Sequence, residues 1–183
     1  MKRHAMRLVA GAVLFSTAAL AQSAGEKTGV NSVLGVAPKT ADFVKEAAMS
    51  DMLEIESSKI AQQKGNAQEK KFAEQMITDH TKTSSELKGM VSSSNKPDIP
   101  TALDSSSQSK LDKLRSAKPE EFASQYDAMQ VSAHKDAVSL FERYAKGGDD
   151  PKLKEWAEKT LPNLRHHLEM AQDMSAGKTV GKH

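Results

Sequence analysis

The sequence predicts an all-α protein built as a four-helix bundle. Four long segments carry apolar residues at helical spacing, which is the pattern of helices with one buried face. Turns that contain glycine separate the first segment from the second and the third from the fourth. No stretch shows the alternating pattern of a β-strand. Two helical hairpins are therefore expected to pack face to face.

The first hairpin is predicted between residues 40 and 91. Thr40 is the expected N-cap of the first helix, because its side-chain oxygen can accept a hydrogen bond from a free backbone N–H group. Gly65-Asn66 ends this helix, and the second helix runs from about Ala67 to Val91. The residues expected to face the core are Phe43, Val44, Ala47, Ala48, Ile55 and Ala61 on the first helix, and Phe72, Ala73, Met76, Leu87 and Met90 on the second.

Residues 92–104 interrupt the helical pattern. A run of serines and two prolines exclude a continuous helix there. Two leucines then predict a short helix from roughly Ser105 to Ser116, capped by Asp104 or by one of the serines that follow it. A long connection between the second and third long helices is typical of ferritin-like bundles and not of simple up-down-up-down bundles. We therefore expect the ferritin-like arrangement, with a short extra helix in the crossover.

The second hairpin begins at Pro119, a favourable residue for the first turn of a helix. Gly147-Gly148 ends the third long helix, and Asp149 or Asp150 caps the fourth. Pro162 is expected to kink the fourth helix, because it removes one backbone donor. The predicted core residues are Phe122, Tyr126, Met129, Ala133, Ala137, Leu140 and Phe141 on the third helix, and Leu153, Trp156, Ala157, Leu161, Leu164, Leu168 and Ala171 on the fourth.

The N-terminal segment is typical of an export signal. Lys2, Arg3 and Arg7 accompany a short apolar run from Leu8 to Leu20, and Ala19-Leu20-Ala21 is a small-x-small cleavage site. The run is too short to cross a bilayer comfortably, and no second one follows it, so no transmembrane segment is expected after signal removal. We predict a soluble periplasmic protein with these parts: signal peptide 1–21, flexible leader 22–39, ferritin-like bundle 40–176 and disordered tail 177–183.

Composition excludes several functions. Signal removal takes three basic residues and no acidic ones, so the formal net charge changes from +2 to −1. No basic block with interleaved aromatic residues remains, which argues against nucleic acid as a partner. With no cysteine in the chain, there is no disulfide framework, no thiol nucleophile and no thiolate metal ligand.

One potential metal ligand lies on the inward-facing stripe of each long helix: Glu54, His80, His134 and His167. Buried glutamate and histidine are costly unless they are paired, hydrogen-bonded or bound to metal. One ligand per helix is how a four-helix bundle builds a metal site. Four separately satisfied polar residues would give the same pattern. We favour that structural interpretation, because a histidine on an apolar face is more often a core residue than a ligand.

The rise of an α-helix gives a first test of whether the four residues can meet. Counted from the turns at about 1.5 Å per residue, Glu54 and His80 differ in height by about 5 Å, and His134 and His167 by about 9 Å. His80 with Glu54 is therefore the better predicted pair.

Two further residues are predicted to support the ligands. Asp79 adjoins His80 and is placed to orient a histidine ring across a helix interface. Tyr126 lies on an inward stripe, where its hydroxyl needs a partner.

The pattern differs from that of a di-iron centre. Such centres use Glu-x-x-His on two helices, whereas Ile77, Val131 and Leu164 stand three residues before the histidines of this chain. Three histidines and one carboxylate are better suited to zinc, copper or a single iron ion, so the cofactor under this hypothesis is a divalent transition metal. No nucleophile elbow, phosphate-binding loop or zinc-protease motif is present, and we expect no enzymatic activity.

Several short motifs resemble those of a known family. They are Phe43-Val44, Ala47-Ala48, Glu54, Phe72-Ala73, Met76, Asp79-His80-Thr81, Tyr126, His134, Leu140-Phe141, Leu161-Pro162 and His166-His167-Leu168. From Ala41 to Met174 the chain is similar to an exported bacterial family of unknown function, domain-of-unknown-function family 4142, whose members are often labelled outer-membrane proteins. The resemblance implies a ferritin-like helical fold and a location in the cell envelope, and it implies no established activity.

Two functional hypotheses follow. The preferred one is a non-catalytic envelope protein, monomeric or weakly associating, that acts in stress survival or binds an envelope protein partner through an exposed helical face. The alternative is a metal-binding bundle in which Glu54, His80, His134 and His167 bind zinc, copper or iron.

Overall fold

The computed structural model describes residues 30–92 and 98–177. The predicted signal peptide, residues 22–29 of the leader and residues 178–183 of the tail lie outside these ranges. Within them every regular element is a helix, which confirms the all-α class. The elements are α1 (Val30–Val33), α2 (Thr40–Lys64), α3 (Ala67–Ser92), α4 (Ser105–Ser116), α5 (Pro119–Gly147) and α6 (Pro151–Ser175).

Two helices begin at the aspartate caps that the sequence predicts. Asp104 Oδ1 accepts a hydrogen bond from the backbone N–H of Ser107 at 2.7 Å, before α4. Asp150 Oδ1 accepts one from the N–H of Leu153 at 2.9 Å, before α6. Each carboxylate satisfies a backbone donor that has no partner inside its helix and is favoured by the helix dipole.

The prediction that Thr40 caps α2 is wrong. Lys39 occupies the N-cap position, without a side-chain hydrogen bond, and Thr40 is already helical. The Thr40 hydroxyl is hydrogen-bonded to the Tyr144 hydroxyl at 2.6 Å and to the Asp149 carboxylate. A tertiary contact therefore replaces the local cap and ties the start of α2 to the turn between α5 and α6.

The apolar core consists of two clusters stacked along the bundle. The first cluster contains Phe43 and Trp156, and the second contains Phe72 and Phe122. Along the chain, α2 and α6 pass from the first cluster to the second, whereas α3 and α5 pass from the second to the first. The connection from α3 to α5 must therefore return along the length of the bundle, and it contains α4, as the long crossover was predicted to do.

The bundle is made of two tightly packed hairpins, α2 with α3 and α5 with α6. The hairpins meet where α2 faces α5 and where α3 faces α6, and both of these contacts are less extensive than those within a hairpin. We call the second one, which is the less extensive of the two, the α3/α6 seam. Helix α6 continues through Pro162. None of the helices in the described ranges carries an apolar stretch that could span a lipid bilayer.

Candidate metal centre

A layer of polar side chains lies between the two apolar clusters. Three histidines belong to this layer: His80 on α3, His134 on α5 and His167 on α6. Along its helix, each histidine lies between residues of one apolar cluster and residues of the other. Glu54 on α2 lies at the edge of the second cluster, next to Leu53. The four side chains are between 0 and 2% exposed. Each long helix thus supplies one of these four buried side chains, as the stripe pattern predicts.

The three histidine rings converge. Their ring centroids are 5.6 Å apart for His80 and His134, 5.5 Å for His80 and His167, and 5.5 Å for His134 and His167. One nitrogen of each ring lies within 4.8 Å of one nitrogen of the other two. Around a metal ion bound at about 2.0–2.1 Å in tetrahedral geometry, neighbouring nitrogens are about 3.3 Å apart. Small side-chain rotations therefore suffice to close the cluster on an ion.

The expected 9 Å offset between His134 and His167 is wrong. His134 lies thirteen residues before the end of α5 at Gly147, and His167 lies sixteen residues after the start of α6 at Pro151. The difference of three residues corresponds to about 4.5 Å of helix. The 9 Å value assigns a helical rise to residues 148–150, which lie between the two helices and are not helical.

The outer nitrogen of each ring has a hydrogen-bond acceptor. His80 Nδ1 lies 2.8 Å from Asp51 Oδ1, and His167 Nε2 lies 2.8 Å from Asp79 Oδ2. His134 Nδ1 lies 2.9 Å from the backbone carbonyl of Gln130. Carbonyl and carboxylate oxygens can only accept, so the proton sits on this outer nitrogen in all three rings. In the neutral ring the inner nitrogen then carries a lone pair.

The inner nitrogens are His80 Nε2, His134 Nε2 and His167 Nδ1, and all three are buried without a hydrogen-bond partner. A buried polar atom that lacks a partner costs about 1–3 kcal/mol. Three such atoms on neighbouring rings form a set of nitrogen donors that one metal ion could bind together. A ligand histidine whose second nitrogen is held by a carboxylate or a carbonyl is the usual arrangement in metal sites, since this contact fixes both the tautomer and the ring orientation.

Glu54 supplies a carboxyl group near His80, but its oxygens are not among the ligand atoms that lie within 4.8 Å of one another, so its side chain would have to shift to join the three histidines. Neither of its carboxylate oxygens has a hydrogen-bond partner of normal geometry. Burial raises the pKa of Glu54 to about 7, an effect that the positive charge of His80 and the nearby Gln130 side chain reduce in part. The Gln130 amide itself donates to Ser57 Oγ at 3.1 Å. Glu54 is therefore a carboxyl group on the border of ionisation, with two oxygens available to a cation.

The three histidines differ in the direction in which their pKa is shifted. Burial, together with the charge of His80, lowers the pKa of His134 to about 3 and that of His167 to about 4. Burial also acts against a charge on His80, but the hydrogen bond and charge of Asp51 and the charge of Glu54 outweigh it, so the pKa of His80 is raised. At neutral pH, His134 and His167 are thus in the neutral form that metal binding requires.

Asp51 is the residue that sequence reasoning missed. Its side chain accepts hydrogen bonds from His80 and from the hydroxyls of Thr83 and Ser84, the latter two at 2.9–3.0 Å. The available signal was its position three residues before Glu54, which places both acids on the same side of α2. The other carboxylate, Asp79, was identified, and it contacts His167 across the α3/α6 seam instead of its sequence neighbour.

Tyr126 is connected to the histidine cluster through Phe72. Its buried hydroxyl is hydrogen-bonded to Ser58 Oγ at 3.1 Å, and its ring packs edge-on against Phe72. Phe72 in turn packs edge-on against His134. Among the described ring contacts, Tyr126 therefore reaches His134 only by way of Phe72.

Comparison with known proteins agrees with the motifs. A family model described as a domain of unknown function (DUF4142) matches residues 25–174. The chain belongs to the DUF4142 family. No curated protein and no solved structure matches it. The three histidines, Glu54 and the two supporting aspartates all lie inside the DUF4142 domain, so the candidate centre is part of the domain itself.

Proposed function

We propose that this protein binds a divalent transition-metal ion in the middle of its helical bundle. The ligands are His80 Nε2, His134 Nε2, His167 Nδ1 and a carboxylate oxygen of Glu54. The observation that carries the proposal is the set of three buried, unpartnered imidazole nitrogens on converging rings. A metal ion would satisfy all three at once, and Glu54 would supply the fourth ligand and a negative charge.

The donor set restricts the metal. Imidazole nitrogens suit zinc, copper and iron, and a single carboxylate oxygen is compatible with each of them. Copper(II) and zinc are expected to bind most tightly, because affinities of such sites rise towards copper in the first-row series. With the four donors almost fully buried, a bound ion would be enclosed by protein. Such a closed site suits storage, buffering or a structural role better than turnover of a substrate.

The setting of the site is also part of the proposal. We propose that the bundle is ferritin-like, with the long crossover that contains α4 as its mark, and that it is exported to the periplasm by residues 1–21. The supporting arguments are the topology of the crossover and the composition of the N-terminal segment. In that compartment, a site without cysteine can hold a metal ion and has no thiol to be oxidised.

A non-catalytic envelope protein with purely structural histidines remains the second candidate. One observation favours it: each histidine already makes one good hydrogen bond through its outer nitrogen. Under this alternative, the wild-type protein would bind no metal ion.

Metal analysis of the mature protein distinguishes the two. After purification without chelators, elemental mass spectrometry is expected to find about one metal ion per chain, and titration with zinc or copper(II) to give the same stoichiometry. His80→Ala should weaken binding at least about tenfold. His166→Ala is the matched control, because His166 is exposed and adjoins a ligand on α6. Wild-type protein that binds none of zinc, copper, iron and manganese would refute the metal-binding function.

A further inference from the structure

We propose that the metal ion reaches its site through the α3/α6 seam, where Asp79 captures it at the surface and passes it to His167. This inference rests on the metal-binding function proposed above. It assigns to Asp79 a role in uptake, in addition to its hydrogen bond with a ligand.

Exposure identifies the route. The four ligands are buried, and so is Gln130, whose carbonyl accepts from His134. The Asp51 side chain is 9% exposed and that of Asp79 is 19% exposed. Among the described groups that are hydrogen-bonded to the three histidines, Asp79 is thus the one most accessible to solvent. Its side chain is hydrogen-bonded to the ligand His167 and is also exposed to solvent.

The packing of the seam supports the same route. Helices α3 and α6 make the least extensive of the contacts that join the two hairpins. Polar pairs cross this seam: His167 with Asp79, Asn163 with Asp79 at 3.4 Å, and Trp156 with Glu86 at 2.9 Å. Polar contacts near the surface exchange with water at a smaller free-energy penalty than apolar packing does.

Pro162 makes α6 easier to displace at this point. Proline has no backbone N–H, so one hydrogen bond of the helix is absent five residues before His167. Helices bend most readily where such a bond is missing. The helix that carries His167 can therefore yield locally without unfolding the hairpin.

The hydrogen bonds of Asp79 suit a capture group. Gln75 Nε2, His167 Nε2 and Asn163 Nδ2 all donate to its Oδ2. The other oxygen, Oδ1, remains able to bind a cation. His167 is hydrogen-bonded to Asp79 through Nε2 and directs its other nitrogen, Nδ1, to the interior, so this one side chain links the seam to the remaining ligands. An ion held by Asp79 can thus be transferred inwards by a side chain that already contacts both places.

Uptake kinetics test the proposal. Cobalt(II) is the probe, because it is a spectroscopically visible substitute for zinc, and its binding can be followed by stopped-flow absorption. Asp79→Asn keeps the size of the side chain and an oxygen for His167, yet it removes the charge. We expect the association rate constant to fall at least about tenfold. Asp79→Glu, which restores the carboxylate, should recover most of the rate.

Two other aspartates provide the comparison. Asp136→Asn, at an exposed position two residues after His134, should leave the association rate constant within about twofold of wild type. Asp51→Asn changes a buried carboxylate that also holds a ligand, so it should accelerate dissociation of cobalt(II) and leave association unchanged. The contrast separates an uptake residue from a residue that only orients its histidine.

The outcomes are distinct. Equal association rate constants for wild type and Asp79→Asn, with faster dissociation in the variant, would overturn the uptake role and leave the metal site intact. If Asp79→Asn does not fold, Asn163→Ala takes its place: it opens the seam and should speed association, and an unchanged rate would count against the route. Absence of cobalt(II) and zinc binding by wild-type protein would instead refute the metal-binding function.

Discussion

A hydrogen bond between Asp51 and His80 joins α2 to α3 beside the candidate metal centre, with 2.8 Å between Asp51 Oδ1 and His80 Nδ1. The Thr83 and Ser84 hydroxyls also donate to this carboxylate, so three donors of α3 are hydrogen-bonded to the one Asp51 side chain of α2. The His80 ring is consequently fixed with Nε2 facing the other two histidines.

Asp51→Asn is therefore expected to weaken metal binding without abolishing it. The amide can still accept from His80, but it no longer raises the basicity of the ring as a carboxylate does. Loss of such a supporting carboxylate typically lowers metal affinity about 10–100-fold. Competition titrations with a zinc chelator measure the change. Glu56→Gln, a partly exposed change on the same helix, is the control, and an Asp51→Asn affinity equal to that of this control would contradict the expectation.

Metal affinity should decrease as the pH falls. The number of protons released for each ion bound identifies the ligands that must first lose a proton. Binding requires deprotonated His80, whose pKa is raised, and deprotonated Glu54, whose pKa is about 7. His134 and His167, with pKa values of about 3 and 4, are already neutral. Below pH about 6.5 the wild-type protein should thus release nearly two protons for each metal ion that it binds. The Glu54→Gln variant should release about one. Calorimetry in buffers of different ionisation enthalpy counts these protons, and equal counts for the two proteins would exclude Glu54 as a ligand.

The stability of the metal-free protein should also depend on His134 in acid. Its pKa is lowered from 6.5 to about 3 in the folded state, so between these values the unfolded chain binds more protons. The contribution of neutral His134 to the free energy of unfolding is therefore fully present above pH 6.5 and is lost as the pH falls towards 3. Glu54, with its raised pKa, acts in the opposite direction between 4.5 and about 7. His134→Gln should reduce the loss of unfolding free energy between pH 6.5 and 4, measured by urea unfolding with chelator present; an unchanged pH slope would contradict this.

The sequence predicts the fold more completely than the site. Helical periodicity and the turn residues located every long helix, because these signals are local and repeated. Thr40 was misassigned because a tertiary contact with Tyr144 competes with the local cap. In the site, the inward stripes identified the ligands one helix at a time. The role of Asp51 and the partner of Asp79 depend on how the helices face one another. The spacing of residues along one segment of the chain carries no information about that arrangement.

Metal binding should stabilise the bundle by cross-linking its two hairpins. Glu54 and His80 belong to one hairpin, and His134 and His167 belong to the other. An ion bound by all four therefore holds together the less extensive interface of the molecule and has no equivalent site in the unfolded chain. At free metal a hundredfold above Kd, the free energy of unfolding should rise by about 2.7 kcal/mol. For a domain of this size, that corresponds to an increase in Tm of roughly 5–10 °C. Thermal unfolding followed by circular dichroism, with zinc and with chelator, measures the shift. His166→Ala should retain the shift and His134→Gln should lose it, whereas an equal shift in both variants would place the stabilising ion elsewhere on the protein.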